Sequence, residues 1–84
     1  MIAFILAKVE SGKDRDVLAQ IKKLGEAKRA LPTYGTYDLI VEVEFGSSKE
    51  LDSFVFDKIR KIDGVRETAT LICSEMLMWE LSLQ

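Results

Sequence analysis

Seven apolar residues open the chain without a break, Met1 to Ala7, and this run limits the fold more than any other feature. It is far shorter than the ~20 residues that a membrane helix needs. It also lacks the basic flank and small-residue cleavage site of a secretory leader. Closed by Lys8-Val9-Glu10, it reads as a strand apolar on both faces. Such a strand belongs inside a sheet with cover on each side. A chain of 84 residues has material for one small domain and one core, so cover for the second side has to come from elsewhere.

The remaining segments follow in a clear order. Ser11-Gly12-Lys13-Asp14 breaks the strand, and Ser11 with Asp14 has the spacing of a capping box. Val17, Leu18, Ile21 and Leu24 then recur at helical spacing, with Gly25 placed to end the helix at positive φ. Residues 26–34 read as a strand that Pro32 confines to a sheet edge or terminates. Tyr34-Gly35-Thr36 is a tight turn. Residues 37–45 form the clearest strand, with Tyr37, Leu39, Val41, Val43 and Phe45 on one face. Ser47 with Glu50 again has capping-box spacing. Leu51, Phe54, Val55, Ile59 and Ile62 give a second amphipathic helix, ended by Asp63-Gly64. A final strand is expected from Val65 to Met78.

Strand, helix, strand, strand, helix, strand is the split βαβ plan. The expected fold is therefore α+β, a ferredoxin-like βαββαβ sandwich. Two right-handed crossovers place both helices on one face of an antiparallel four-stranded sheet. The other face is left to a partner, and a second copy of the chain is the simplest one.

Composition narrows the chemistry. There is no histidine, which removes the commonest general base and most metal and haem sites. One cysteine, Cys73, builds neither a disulfide framework nor a cysteine zinc site. A single thiol suits a reducing cytoplasm. With 12 basic against 14 acidic residues the net charge is −2, so phosphate binding lacks a driving force. Metal, cofactor, membrane and direct nucleic-acid partners are not expected.

At this point a family comes into view. Gly35-Thr36-Tyr37-Asp38-Leu39-Ile40-Val41-Glu42-Val43, then Leu51 and Phe54-Val55, then residues 62–70 with Gly64-Val65 and the Thr68/Thr70 pair, resemble the effector (RAM) domain of the Lrp/AsnC transcription regulators. The resemblance runs over essentially the whole chain. It implies a domain that dimerises sheet against sheet, assembles further into a ring, and binds a small effector, usually an amino acid, in clefts between dimers. Full family members also carry a helix-turn-helix, for which the 84 residues leave no room, so a single stand-alone effector domain over 1–84 is expected. Joining full-length Lrp/AsnC relatives would then be its route to regulation.

Carried over residue by residue, the resemblance implies a ligand site at Tyr34, Gly35, Tyr37, Asp38, Thr68 and Thr70. Backbone N–H groups around Gly35 suit a carboxylate, and Asp38 suits an ammonium. The same residues also fit an ordinary hairpin in which Gly35 supplies positive φ and Asp38 bonds nearby backbone. Tyr34, in the turn, is the better ligand wall, while Tyr37 shares the Leu39 face and suits packing. Thr68 and Thr70 share a strand face and offer two hydroxyls, or simply favour strand structure.

Other features have plainer readings. Cys73 is read as a small buried hydrophobe, and Met76, Met78 and Trp79 as core or assembly residues. Glu42 and Glu44 read as the solvent side of a strand. Lys22, Lys23, Lys28 and Arg29 read as solvated charge. The alternatives to an effector domain are a small dimeric α+β barrel enzyme of oxygenase or isomerase type, and a purely structural assembly module.

Overall fold

The computed structural model describes residues 1–74. The expected strand extension to Met78 and the roles of Met76, Met78 and Trp79 lie outside the described residues. Four strands, β1 (Ile2–Val9), β2 (Ala27–Pro32), β3 (Leu39–Glu44) and β4 (Val65–Ile72), form one antiparallel sheet in the order β2-β3-β1-β4. Helices α1 (Asp14–Lys22) and α2 (Ser48–Phe54) connect them, and α2 continues as a π-helical turn over Val55–Ile59. This is the βαββαβ sandwich that the sequence predicts, with Pro32 ending an edge strand.

One face of the sheet carries the core. Ala3, Ile5 and Ala7 of β1 stand opposite Val43, Val41 and Leu39 of β3, and all six are buried. Val17 and Ile21 of α1, and Leu51, Phe54, Val55 and Ile59 of the second helical segment, close over them. Each such side chain taken out of water contributes about 1.5–3 kcal/mol. The π-helical turn has a readable cause. Continuing at 3.6 residues per turn from Leu51 and Phe54 would direct Lys58 at the core. The Arg60 N–H instead donates to the Val55 carbonyl five residues back. That insertion rotates Ile59 inward and releases Lys58 to pair with Glu26.

The helix ends separate local signals from tertiary ones. Ser47 Oγ accepts from the Glu50 N–H at 3.2 Å, and Glu50 Oε2 accepts from the Gly46 N–H at 3.1 Å, so the second capping box forms. The first does not. The residue before α1 is Lys13, with no side-chain cap. Gly12 makes the preceding turn at φ +86°, which carries Ser11 away from the helix. Gly25 does not reach positive φ either, because α1 ends through Lys23 in helical conformation. Gly64 does, at φ +101°. Its carbonyl accepts from the Glu10 N–H at 2.7 Å.

On the other face β1 presents Ile2, Phe4 and Leu6, half-buried in the single chain. The register aligns Leu31, Ile40, Leu6 and Ala69 across the four strands, and places Leu71 opposite Phe4. Leu31 is 46% and Leu71 56% exposed. A β2 irregularity between Ala27 and Arg29 lets two consecutive basic residues reach acidic ones on β3. Lys28 pairs with Glu44 at 2.6 Å and Arg29 with Glu42 at 2.9 Å. The two glutamates read from sequence as the solvent side of a strand are thus ion-paired, as are Lys28 and Arg29, read there as solvated charge. Lys8 and Glu67 add a third pair on this face.

Candidate functional site

The connection from β2 to β3 is built by hydrogen bonds at its base and left open at its tip. The Thr33 N–H donates to the Asp38 carbonyl at 2.8 Å, and Thr33 Oγ1 donates to the Tyr37 carbonyl at 2.8 Å. The Asp38 N–H donates to the Ala7 carbonyl at 2.9 Å. The Asp38 carboxylate does something the sequence gives no sign of. Its Oδ2 accepts from the Val9 N–H at 2.8 Å. The β1–β4 register shifts between Lys8 and Val9, and at this irregularity Asp38 supplies the acceptor for the Val9 donor. Asp38 therefore joins the turn to the end of β1 through main chain and side chain together.

The tip is different. Gly35 holds φ +103° with open space around it. The backbone N–H groups of Tyr34, Gly35 and Thr36 donate to nothing among the described residues. Tyr34 is fully exposed. Beside the tip lies a cleft of about 470 Å³ lined by Asp14, Pro32, Thr33, Tyr34, Gly35 and Asp38. Exposed main-chain donors next to carboxylates are the groups with which such a cleft would meet an anion and a cation.

Of the six residues singled out from the sequence, the single chain brings Tyr34, Gly35 and Asp38 together. Tyr37 turns to the opposite side, where Lys8 Nζ lies 5.5 Å from its ring centroid. Lys8 also meets Glu67 at 3.1 Å, and this carboxylate, first through its hydrogen bond and then through its charge, raises the Lys8 ammonium above its ordinary pKa. Thr68 and Thr70 stand on β4, opposite Ala7 and Ile5, and do not line the cleft. Thr68 is half-buried and Thr70 exposed. Asp14 does line the cleft. Sequence reasoning treated it as half of a capping box, and only the return of the chain 24 residues later brings it beside Asp38.

A second groove, of about 350 Å³, runs along α2 and the π-helical turn. Its floor is the Phe45–Phe54 pair, with centroids 5.4 Å apart. Lys58 and Glu26 close one side as an ion pair. Among the described residues no cluster of histidine, cysteine and carboxylates has metal-binding geometry. None of the described helices is long and apolar enough to cross a membrane.

Comparison with known proteins places the fold in a family. The model of the Lrp/AsnC ligand binding domain matches residues 2–78. The HTH-type transcriptional regulator FL11 of Pyrococcus abyssi is 42% identical over 72 residues, which are 86% of this chain and 47% of the relative. The crystal structure of FFRP-DM1 is 42% identical with a TM-score of 0.81, over 87% of this chain and 97% of that one. The structure of Escherichia coli AsnC is 29% identical with a TM-score of 0.83, over 88% of this chain and 50% of that one. The chain thus spans about half the length of the curated regulator it matches. With the family model covering nearly all described residues, and relatives in both comparisons, the chain belongs to the Lrp/AsnC ligand binding domain family.

Proposed function

We propose that these 84 residues act as a non-catalytic, amino-acid-sensing and assembly unit of transcription regulation, working in the cytoplasm. The observation that carries this reading is the turn tip. The backbone N–H groups of Tyr34 and Gly35, which donate to nothing among the described residues, belong to residues that line a cleft together with Asp14 and Asp38. A zwitterion needs donors for its carboxylate and an acceptor for its ammonium, and this cleft offers both without an arginine. Tyr34 serves as the wall for the ligand's side chain. Thr68 and Thr70 complete the site from a neighbouring copy, since within one chain they stand apart from the cleft.

Assembly uses the sheet face opposite the helices. Its apolar row Leu31, Ile40, Leu6 and Ala69, with Leu71 beside Phe4, is bordered by acid–base pairs. Apolar surface of this kind suits a face that a second copy covers. The same face would allow mixed assembly with longer Lrp/AsnC relatives. With a net charge of −2, the 84-residue chain gives no sequence-specific shift of DNA at physiological salt.

Calorimetric titration of the oligomer with each of the twenty amino acids tests the proposal. Saturable binding of at least one below millimolar concentration supports it. Gly35→Val then weakens that binding, because a β-branched residue tolerates positive φ poorly. If an intact oligomer binds none of them, the structural assembly module replaces the sensor.

A further inference from the structure

We infer that the segment after β4, residues 75–84, docks in the groove along α2 of its own chain, with Met78 and Trp79 over the Phe45–Phe54 floor. The sheet register carries the argument. β4 pairs with β1 as far as Ala3 and Ile72, and the Cys73 N–H then donates to the Ile2 carbonyl at 2.9 Å. On the other side of β1, Ile2 stands opposite Glu44. The Phe45 N–H donates to the Met1 carbonyl and the Met1 ammonium to the Phe45 carbonyl, each at 2.9 Å. The chain therefore leaves β4 at the end of the sheet where Phe45 leaves β3, two strands away. Neighbouring strands lie about 4.8 Å apart, so about 10 Å separates that exit from the edge of the groove floor. Residues 75–84 follow, and a segment of that length spans at most about 33–36 Å, enough to cross to the groove and run along it.

The surface at the exit points the same way. Ile72 is paired with Ala3, so it stands on the helix side of the sheet, yet it is 54% exposed. The groove next to it has room for a few side chains, about 350 Å³, whereas the outer sheet face needs cover across four strands. The segment supplies Met76, Leu77, Met78, Trp79, Leu81 and Leu83. Thioethers pack favourably against aromatic rings. A tryptophan adds large apolar area and an N–H, for which the Asp57 carboxylate on the rim is an acceptor. Charge agrees as well. The segment carries Glu75 and Glu80 and no basic residue. Of the two lysines on the rim, Lys58 is held by Glu26, and Lys49 has no ion-pair partner among the described residues. Docked there, the segment ties the end of β4 to α2 and leaves the Gly35 cleft and the outer sheet face open.

Trp79 is the single tryptophan, so its fluorescence in the full chain reports on this segment alone. Ser53 lines the groove and is exposed, so Ser53→Glu disturbs the groove and spares the core. Circular dichroism melts show that each variant is folded. In the wild type, Trp79 emission is expected blue-shifted from the urea-unfolded chain, with acrylamide quenching several-fold weaker. In Ser53→Glu both move towards the unfolded values, and Lys49→Glu moves them less in the same direction. Trp79→Ala lowers the Tm of the wild type and lowers that of Ser53→Glu by less, since groups in contact do not act additively. To separate a chain's own groove from a neighbour's, Ser53→Glu is refolded with an excess of Trp79→Phe, which has an intact groove and no tryptophan signal. Trp79 is expected to stay exposed in that mixture. Three results each overturn the inference: a wild-type Trp79 as quenchable as in the unfolded chain, a shielded Trp79 that ignores Ser53→Glu, and shielding restored in the mixture, which assigns the segment to the partner's groove.

Discussion

Two glycine corners in this molecule share a backbone conformation and differ in everything around it. Gly64 and Gly35 hold φ +101° and +103°. At Gly64 an added Cβ would lie 3.0–3.1 Å from Lys13 Cδ and Cβ and from Val17 Cγ2. At Gly35 it would meet nothing within 4 Å. The first corner is filled by its own chain, since the α2-to-β4 connection is pressed against the start of α1 and bonded to Glu10. The second is closed at its base by Thr33 and Asp38 and empty at its tip. The same left-handed residue thus serves close packing in one place and an open, donor-lined edge in the other. A corner that a fold needs only for its own closure is expected to resemble Gly64.

The largest effect that separates them is on stability. Gly64→Ala combines left-handed strain of about 1–2 kcal/mol with overpacking of about 1–3 kcal/mol. Chemical denaturation should show a loss of about 2–5 kcal/mol at fixed protein concentration. Asp38→Ala comes next. It leaves the Val9 N–H without its acceptor, at a cost of about 1–3 kcal/mol, and Asp38→Asn should recover most of that loss. Gly35→Ala carries the strain alone, about 1–2 kcal/mol, while ligand affinity falls by more than stability does. Equal losses at Gly64 and Gly35 would erase the contrast between a packed corner and an open one.

The smallest effect is the pH dependence of the surface pairs. The hydrogen bond from Lys58 lowers the Glu26 carboxyl below its ordinary value of 4.5, and Lys28 does the same to Glu44. Groups depressed on folding contribute stability above their unfolded pKa and lose it as pH falls through the folded one. Stability should therefore decline below about pH 4.5. For Glu26, Glu26→Gln removes its share. That share stays within the ~0.2–1 kcal/mol of an exposed pair, so a urea series from pH 6 to 3 should show a shallow slope and no step.

What could be read from the sequence follows the range of the interactions. The strand alternation of Leu39, Val41 and Val43, the Ser47–Glu50 cap and the edge position of β2 depend on residues a few places apart, and all three formed. Gly35 and Gly64 take the positive φ that their local signals suggest, whereas Gly25 does not, and Gly12 takes the left-handed turn that removes Ser11 from the helix start. The Val9–Asp38 bond spans 29 residues and has no local signature. Asp14 enters the cleft for the same reason, through tertiary approach. The π-helical turn had no clear local sign, since Val55 and Ile59 of the five apolar positions read in the second helix keep ordinary helical spacing.

The central claim is that an assembled form of this chain holds an amino acid at the Gly35 turn. Native mass spectrometry of the purified protein, alone and with each of the twenty amino acids, addresses assembly and ligand in one spectrum. The account predicts a closed oligomer whose mass rises, for at least one amino acid, by that ligand's mass in saturable steps. A folded monomer that takes up none of the twenty would contradict it.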